Sequence, residues 1–277
     1  MIEIKEKKEN LLEIVVKGYP LAFINSIRRA SLSEVPVMAV DEVYMVENNS
    51  PLFDEILAHR LAMIPFKSEG ALDKYRKPEE CAECKENCEG CFTKIYLDVE
   101  ATNSIVVVNS SMIKSEDPEV VPVSQNIPIT VLGRGQKVSL EAKLRLGRGK
   151  EHAKWSAASI ATHRYYPSVK IVNPESKCLE IAMKVCPSNV FGLVNGKIEV
   201  LNEYACILCE ECLKVCGKDV TINYEKDKLI LRVESNGSMT PKRILMEAAK
   251  IIRSKVQQLE EWLNKTEEGQ VEESGNN

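Results

Sequence analysis

The first eighteen residues alternate. Ile2 and Ile4, then Leu12, Ile14 and Val16, fall at every second position, a period of two that predicts a hairpin of strands. Pro20 changes the period. In LAFINSIRRASLSEV, Leu21, Ile24, Ile27 and Leu32 fall near one helical face with Arg28 and Arg29 beside it. Proline suits the first turn of that helix, and Pro36 ends it. Residues 37–47 return to strand. SPLFDEILAHRLAMIPF predicts a second helix, because Ile56, Leu57, Leu61 and Ile64 keep a helical period until Pro65. After a charged loop, 95–149 read as strands: KIYLDVEA, SIVVVNSSMI, IPITVLG and KVSLEAKLRLG, punctuated by Gly and Pro. SEDPEVVPVSQN (115–126) reads as a surface loop. Short strands are expected at GKIEVL and DVTINYE, and another at KLILRVES. From Thr240, a capping residue, and Pro241, a helix is expected to about Leu263. Its stripe of Leu245, Ala248, Ile252, Val256, Leu259 and Leu263 steps by three or four residues. The acidic, polar tail 265–277 is expected to be disordered.

Composition narrows the class. The 277 residues are 44% hydrophobic and 28% charged, which suits a folded protein of two or three domains. No run of eighteen apolar residues predicts a membrane span, and MIEIKEKKEN lacks the apolar core of a secretion signal. A cytoplasmic location without membrane contact is therefore expected. A net charge of −4 argues against a direct, sequence-specific grip on DNA, which needs a basic face to displace counterions.

Cysteine placement adds chemistry. Four of the ten cysteines lie in 81–91 and four in 206–216, with Cys178 and Cys186 between. Without a secretion signal, such tight clusters read as metal ligands. CILCEECLKVCG (206–217) has the spacing C-x2-C-x2-C-x3-C, which in two-cluster ferredoxins occurs twice, each iron–sulfur cluster borrowing its fourth thiolate from the other run. Here Cys186-Pro187 stands where the first run should end. Its other positions hold Ala182, Leu179 and Ser176, none of which ligates iron. One site survives: Cys206, Cys209, Cys212 and Cys186. A three-iron cluster needs only three thiolates, so 3Fe-4S and 4Fe-4S both stay open, as does zinc on the same four sulfurs. Cys216 loses its cluster; Cys178 could pair with it in a disulfide or remain a thiol. In CAECKENCEGC, Cys81, Cys84, Cys88 and Cys91 form two C-x2-C knuckles that can close a tetrahedral Zn2+ site; local disulfides and free thiols are the alternatives.

Nothing reads as catalytic. His59, His152 and His163 sit in no Ser/His/Asp or metal signature, and the glycines of LGRGQ and LGRGKEH read as turns rather than a phosphate loop.

Segments without cysteine point to a family. FINSIRRASLSEVPVMAVDEV (23–43) resembles the signature helix and following strand of the alpha subunit of bacterial RNA polymerase. DEILAHRLAMIPF (54–66) is similar to the matching element of the archaeal and eukaryotic members. GRGKEHAKWSAAS (147–159) resembles the segment where their inserted β domain returns to the dimerisation domain. With half a ferredoxin motif, the chain resembles the archaeal branch of this alpha-type family, whose members carry the letter D, up to about residue 263.

The resemblance implies an α+β fold. A discontinuous dimerisation domain is expected from 1–40, 155–169 and 225–264, with a β-rich insert at 41–154 and a small ferredoxin-like domain at 170–224. It also implies a role. The chain would be a non-catalytic assembly platform of DNA-directed RNA polymerase, a nucleotidyltransferase, pairing with the small alpha-like L polypeptide. That heterodimer would nucleate the large catalytic subunits, and the small zinc subunits N and P would join. Ile24, Ile27, Arg28, Leu245, Ile252, Val256 and Leu259 would serve dimerisation, and Cys81–Cys91 would take the place of the eukaryotic zinc loop. The cluster would then be structural or redox-sensing. The rival reading is a ferredoxin-like electron carrier or redox enzyme subunit, against which the missing ligands at 176, 179 and 182 count.

Overall fold

The computed structural model describes residues 1–82, 88 and 90–274. The expected hairpin forms as β1 (Ile2–Lys7) and β2 (Leu11–Lys17), and α1 (Leu21–Ser33) follows Pro20. Next come β3 (Val37–Asn48), α2 (Asp54–Ala62) and the short α3 (Ala71–Lys74) and α4 (Pro78–Ala82). Strands β4 (Phe92–Ala101), β5 (Val106–Asn109), β6 (Lys114–Ser115), β7 (Pro128–Leu132) and β8 (Gln136–Gly147) match the β-rich stretch. The remaining elements are β9 (Ala158–Ile171), α5 (Cys178–Val185), β10 (Phe191–Val194), β11 (Lys197–Val200), α6 (Glu211–Cys216), β12 (Val220–Ser235) and α7 (Pro241–Ser274).

The sheets run β1-β2-β12-β9, β3-β8-β4-β6, β5-β7 and β10-β11. Strands β3 and β4 pair antiparallel with β8 along most of their length. Alternation along β8 sends Val138, Leu140, Ala142, Leu144 and Leu146 inward, where Leu57 and Leu61 of α2 and Phe66 join them in one core. The mixed α+β class is thus realised.

The chain divides into two compact units. One comprises 1–5, 13–24 and 163–231, the other 6–12, 25–162 and 232–277. The expected cluster domain falls within the first unit, and the β-rich insert falls in the second together with α7.

Four expectations change. DVTINYE and KLILRVES are one continuous strand, β12. β9 was not expected, since Pro167 interrupts a segment with few inward apolar positions. The stretch 115–126 is not purely superficial: Val120 and Asp117 are buried, and Phe66 bridges to Pro122. Asp117 accepts hydrogen bonds from Lys74 Nζ and Tyr75 Oη, both at 2.6 Å, which hold this stretch down. Finally, α7 continues to Ser274, beyond the point at which a disordered tail was expected. Its Glu, Lys and Gln residues are strong helix formers.

The motif GRGKEHAKWSAAS has a packing explanation. A Cβ on Gly147 would sit 2.3 Å from the Trp155 ring, and one on Gly149 would sit 2.3 Å from the Leu32 carbonyl oxygen. Lys150 N–H and Ser156 Oγ donate to the carbonyls of Ser33 and Leu32, which satisfies the open C-terminal end of α1. Arg145 and Lys154 both pack against Trp155, their cations 4.3 and 4.1 Å from its ring centre. The His152 ring accepts from Lys154 N–H and so caps the turn at 153–155.

Candidate metal centre

In the first unit, α5 ends at Cys186, whose N–H still bonds to Ala182 and whose successor, Pro187, cannot continue a helix. The β10-β11 hairpin follows, turning at Asn195-Gly196 with both residues at positive φ, as a tight two-residue turn demands. The chain then enters the loop at 206–210. Leu208 and Glu210 hold φ of 58° and 61°, conformations that cost free energy outside glycine and cluster at functional sites.

This path brings Cys186, Cys206, Cys209 and Cys212 to one cavity, with Val169, Phe191 and Ile222 on its wall. All four are free thiols: Cys206 and Cys212 are buried, Cys186 is half-buried and Cys209 exposed. Burial pushes the Cys206 thiol above its ordinary pKa. The Leu208 N–H and the Arg164 cation oppose that rise, while the charges of Cys209 and Cys186 add to it. Burial raises Cys212 likewise, with Cys206 and Cys186 adding. Val190 N–H also donates to Cys186 Sγ at 3.5 Å.

The donor set fits an iron–sulfur core. Four thiols ring an apolar-walled cavity, with backbone N–H groups directed at two of the sulfurs. Among the described residues, no three His, Cys, Asp or Glu side chains converge closely enough for a single ion. A core that takes one thiolate per iron does not need them to meet at one point. Leu179 and Ala182, which stand where a complete ferredoxin run would carry thiolates, are fully buried in the core around these cysteines. Cys178 and Cys216 are joined in a disulfide between α5 and α6.

The other cysteine group differs from the tetrahedral zinc site expected there. Cys81, on α4, is disulfide-bonded to Cys91, the residue just before β4, and Cys88 is also disulfide-bonded. Cys84 lies outside the described residues. The short spacer brings first and last sulfurs together, as either a bridge or a metal would require, but bridged sulfurs cannot ligate zinc.

A family model for the "RNA polymerase Rpb3/RpoA insert domain" matches residues 42–166. The "DNA-directed RNA polymerase subunit Rpo3" of Methanosphaera stadtmanae is 36% identical over 96% of this chain and 99% of its own length. The protein of the same name from Methanothermobacter thermautotrophicus is 37% identical over 93% and 97%. The "DNA-directed RNA polymerase II subunit rpb3" of Dictyostelium discoideum is 33% identical over 92% of each chain. The chain belongs to the Rpo3/Rpb3 family.

The archaeal relatives carry the name Rpo3 rather than the letter D. The family's insert model reaches Tyr166, well past the boundary expected at residue 154. In this Rpo3-family chain the expected dimerisation residues separate into two groups. Ile24 and Ile27 are buried within the chain itself, so they serve its own core. Arg28 is held internally, by Asn25 Oδ1 at 3.0 Å and the Ala161 carbonyl at 3.4 Å. On α7, Ile244 and Ala248 face the chain's interior, Leu245 and Ile252 are half-buried, and Val256 and Leu259 are exposed. Trp262 and Leu263 extend that exposed surface, and Leu21 and Phe23 of α1 are exposed too. Trp262 lies one three-residue step beyond Leu259, and the sequence stripe passed over it by taking the four-residue step to Leu263. Among the described residues, no helix is long and apolar enough to cross a membrane.

Proposed function

We propose that this Rpo3-family chain is a non-catalytic assembly subunit of DNA-directed RNA polymerase, working in the cytoplasm. It pairs through the outer half of α7 with the small alpha-like L polypeptide, and the pair recruits the large catalytic subunits and the small zinc subunits N and P. The single observation that carries this reading is similarity along more than nine-tenths of the chain to polymerase subunits. The bare apolar surface at Val256, Leu259, Trp262 and Leu263 agrees with it, since exposed apolar patches mark interaction sites. Co-expression with the small partner tests it. One complex should elute from a sizing column; separate, monodisperse elution of the two chains would refute the pairing.

Cys186, Cys206, Cys209 and Cys212 are proposed to hold one iron–sulfur cluster, of three or four irons, that stabilises the 170–224 segment. When bound, such a group supplies a rigid crosslink and a one-electron centre. The chain's own part is to bury two of the thiols, direct the Leu208 and Val190 N–H groups at sulfur, and fill the vacated second site with Leu179 and Ala182. Zinc on Cys81, Cys84, Cys88 and Cys91 is proposed for the reduced protein, in which the Cys81–Cys91 bridge and the disulfide of Cys88 are open.

A further inference from the structure

Building on the cluster reading above, we propose that Arg164 is a positioning residue for the cluster loop, clamping from β9 the backbone that leads into Cys206 and placing a fixed positive charge beside the site. One Nη donates to the Cys206 carbonyl at 2.8 Å and the other to the Tyr204 carbonyl at 2.9 Å, a fork that a single ammonium cannot reproduce. The guanidinium lies 5.1 Å from the centre of the Tyr204 ring and 4.0 Å from the carboxylate of Glu13 on β2. The Tyr204 hydroxyl donates to that same carboxylate, so Glu13, Arg164 and Tyr204 close a ring of contacts. A second tie lies beside it: Glu203 accepts from Val169 N–H at 2.7 Å. The loop is thus fastened to β9 at both Glu203 and Cys206, just before its two left-handed residues.

Packing alone does not account for the choice of side chain. Burying Glu13 against a guanidinium carries a desolvation cost that an apolar pair would avoid. A cation earns its place where negative charge gathers, and a core held by four thiolates gathers it. Groups of this kind beyond the ligands orient them and tune the metal, and a fixed positive charge favours the more reduced, more negative form of the core.

The test uses the full-length chain, purified anaerobically, with Arg164→Ala and Arg164→Lys. Three quantities are read: iron release to a chelator, the reduction potential from an electron paramagnetic resonance titration, and hydrogen exchange at 204–209 in the metal-free chain. Arg164→Ala should release iron about tenfold faster, the lower end of what losing such a partner does. Its potential should become more negative and its loop amides should exchange faster. Lysine should restore the potential, because it keeps the charge, but not the amide protection, because it lacks the fork. Wild-type release and exchange in the alanine variant would overturn the clamp, and a lysine variant with alanine's potential would overturn the role of charge. Should the alanine variant fail to fold, Arg164→Gln retains one donor and should give intermediate release. Should the wild type take up no iron, the cluster reading fails separately; exchange in the metal-free chain then decides the clamp, faster supporting it and equal overturning it.

Discussion

Asp117 shows how single residues hold down a stretch whose composition predicts a loop. Burial would raise its carboxyl, but hydrogen bonds from Lys74 and Tyr75 and from the Glu119 N–H outweigh that and leave it below the usual carboxylate range. A lowered folded pKa means that folding favours the ionised form. The stability it contributes is present above the unfolded value of about 4 and is lost as pH falls through it toward the folded value. Asp117→Asn should therefore flatten the acid side of the stability profile and cost about 1–3 kcal/mol at neutral pH. Denaturant midpoints across that range check both. Gly147 makes the complementary point, since an added methyl would meet the Trp155 ring at 2.3 Å. Gly147→Ala should cost about 1–3 kcal/mol through overpacking, read as a drop in melting temperature without loss of solubility. Sequence alone marks Gly147 as a turn; only the fold reveals the ring beneath it.

Elements were legible where one face is buried and the other wet. α2, with Leu57 and Leu61 buried on one face, follows directly from its period, whereas the hairpin expected from alternation forms with β1 largely exposed and β2 largely buried. β9 was not legible, because its side chains are mostly half-exposed and Pro167 weakens the strand signal. β12 reads as two strands because EKDK, at its middle, carries four charges in a row. The α7 stripe is legible as apolar but only as one face, whereas the structure places its two ends in different surroundings. Ala248 is buried in the chain, and Leu259 is bare. Ala248→Glu should therefore unfold the chain, whereas Leu259→Glu should leave its melting temperature unchanged and abolish heterodimer formation. Thermal melts of the single chain and sizing of the co-expressed pair separate these outcomes. A Leu259→Glu variant that still pairs would place the interface elsewhere.

At the scale of the molecule, the four cysteines proposed to hold the cluster were picked out by spacing alone, because three lie within seven residues and the fourth is marked by the proline after it. Their support was not legible: Arg164, Glu13 and Tyr204 come from three separated parts of the chain and share no motif. Replacing Cys206, Cys209 and Cys212 with Ser should remove all cluster iron and deprotect 170–224 in hydrogen exchange, while β3, β4 and β8 keep their protection. Metal analysis of the same anaerobic, reduced preparations should still find the zinc proposed for the other four cysteines. Normal protection without iron would show that the cluster is no staple. The bare half of α7 also carries a consequence for gene dosage. On the pairing proposed above, a chain that exposes Val256, Leu259 and Leu263 is safe only while its partner covers them, and binding stabilises it by mass action. Its steady-state amount should track that of the partner: copies made in excess would meet proteases or one another first, so the scarcer of the two chains sets how many polymerases a cell can build.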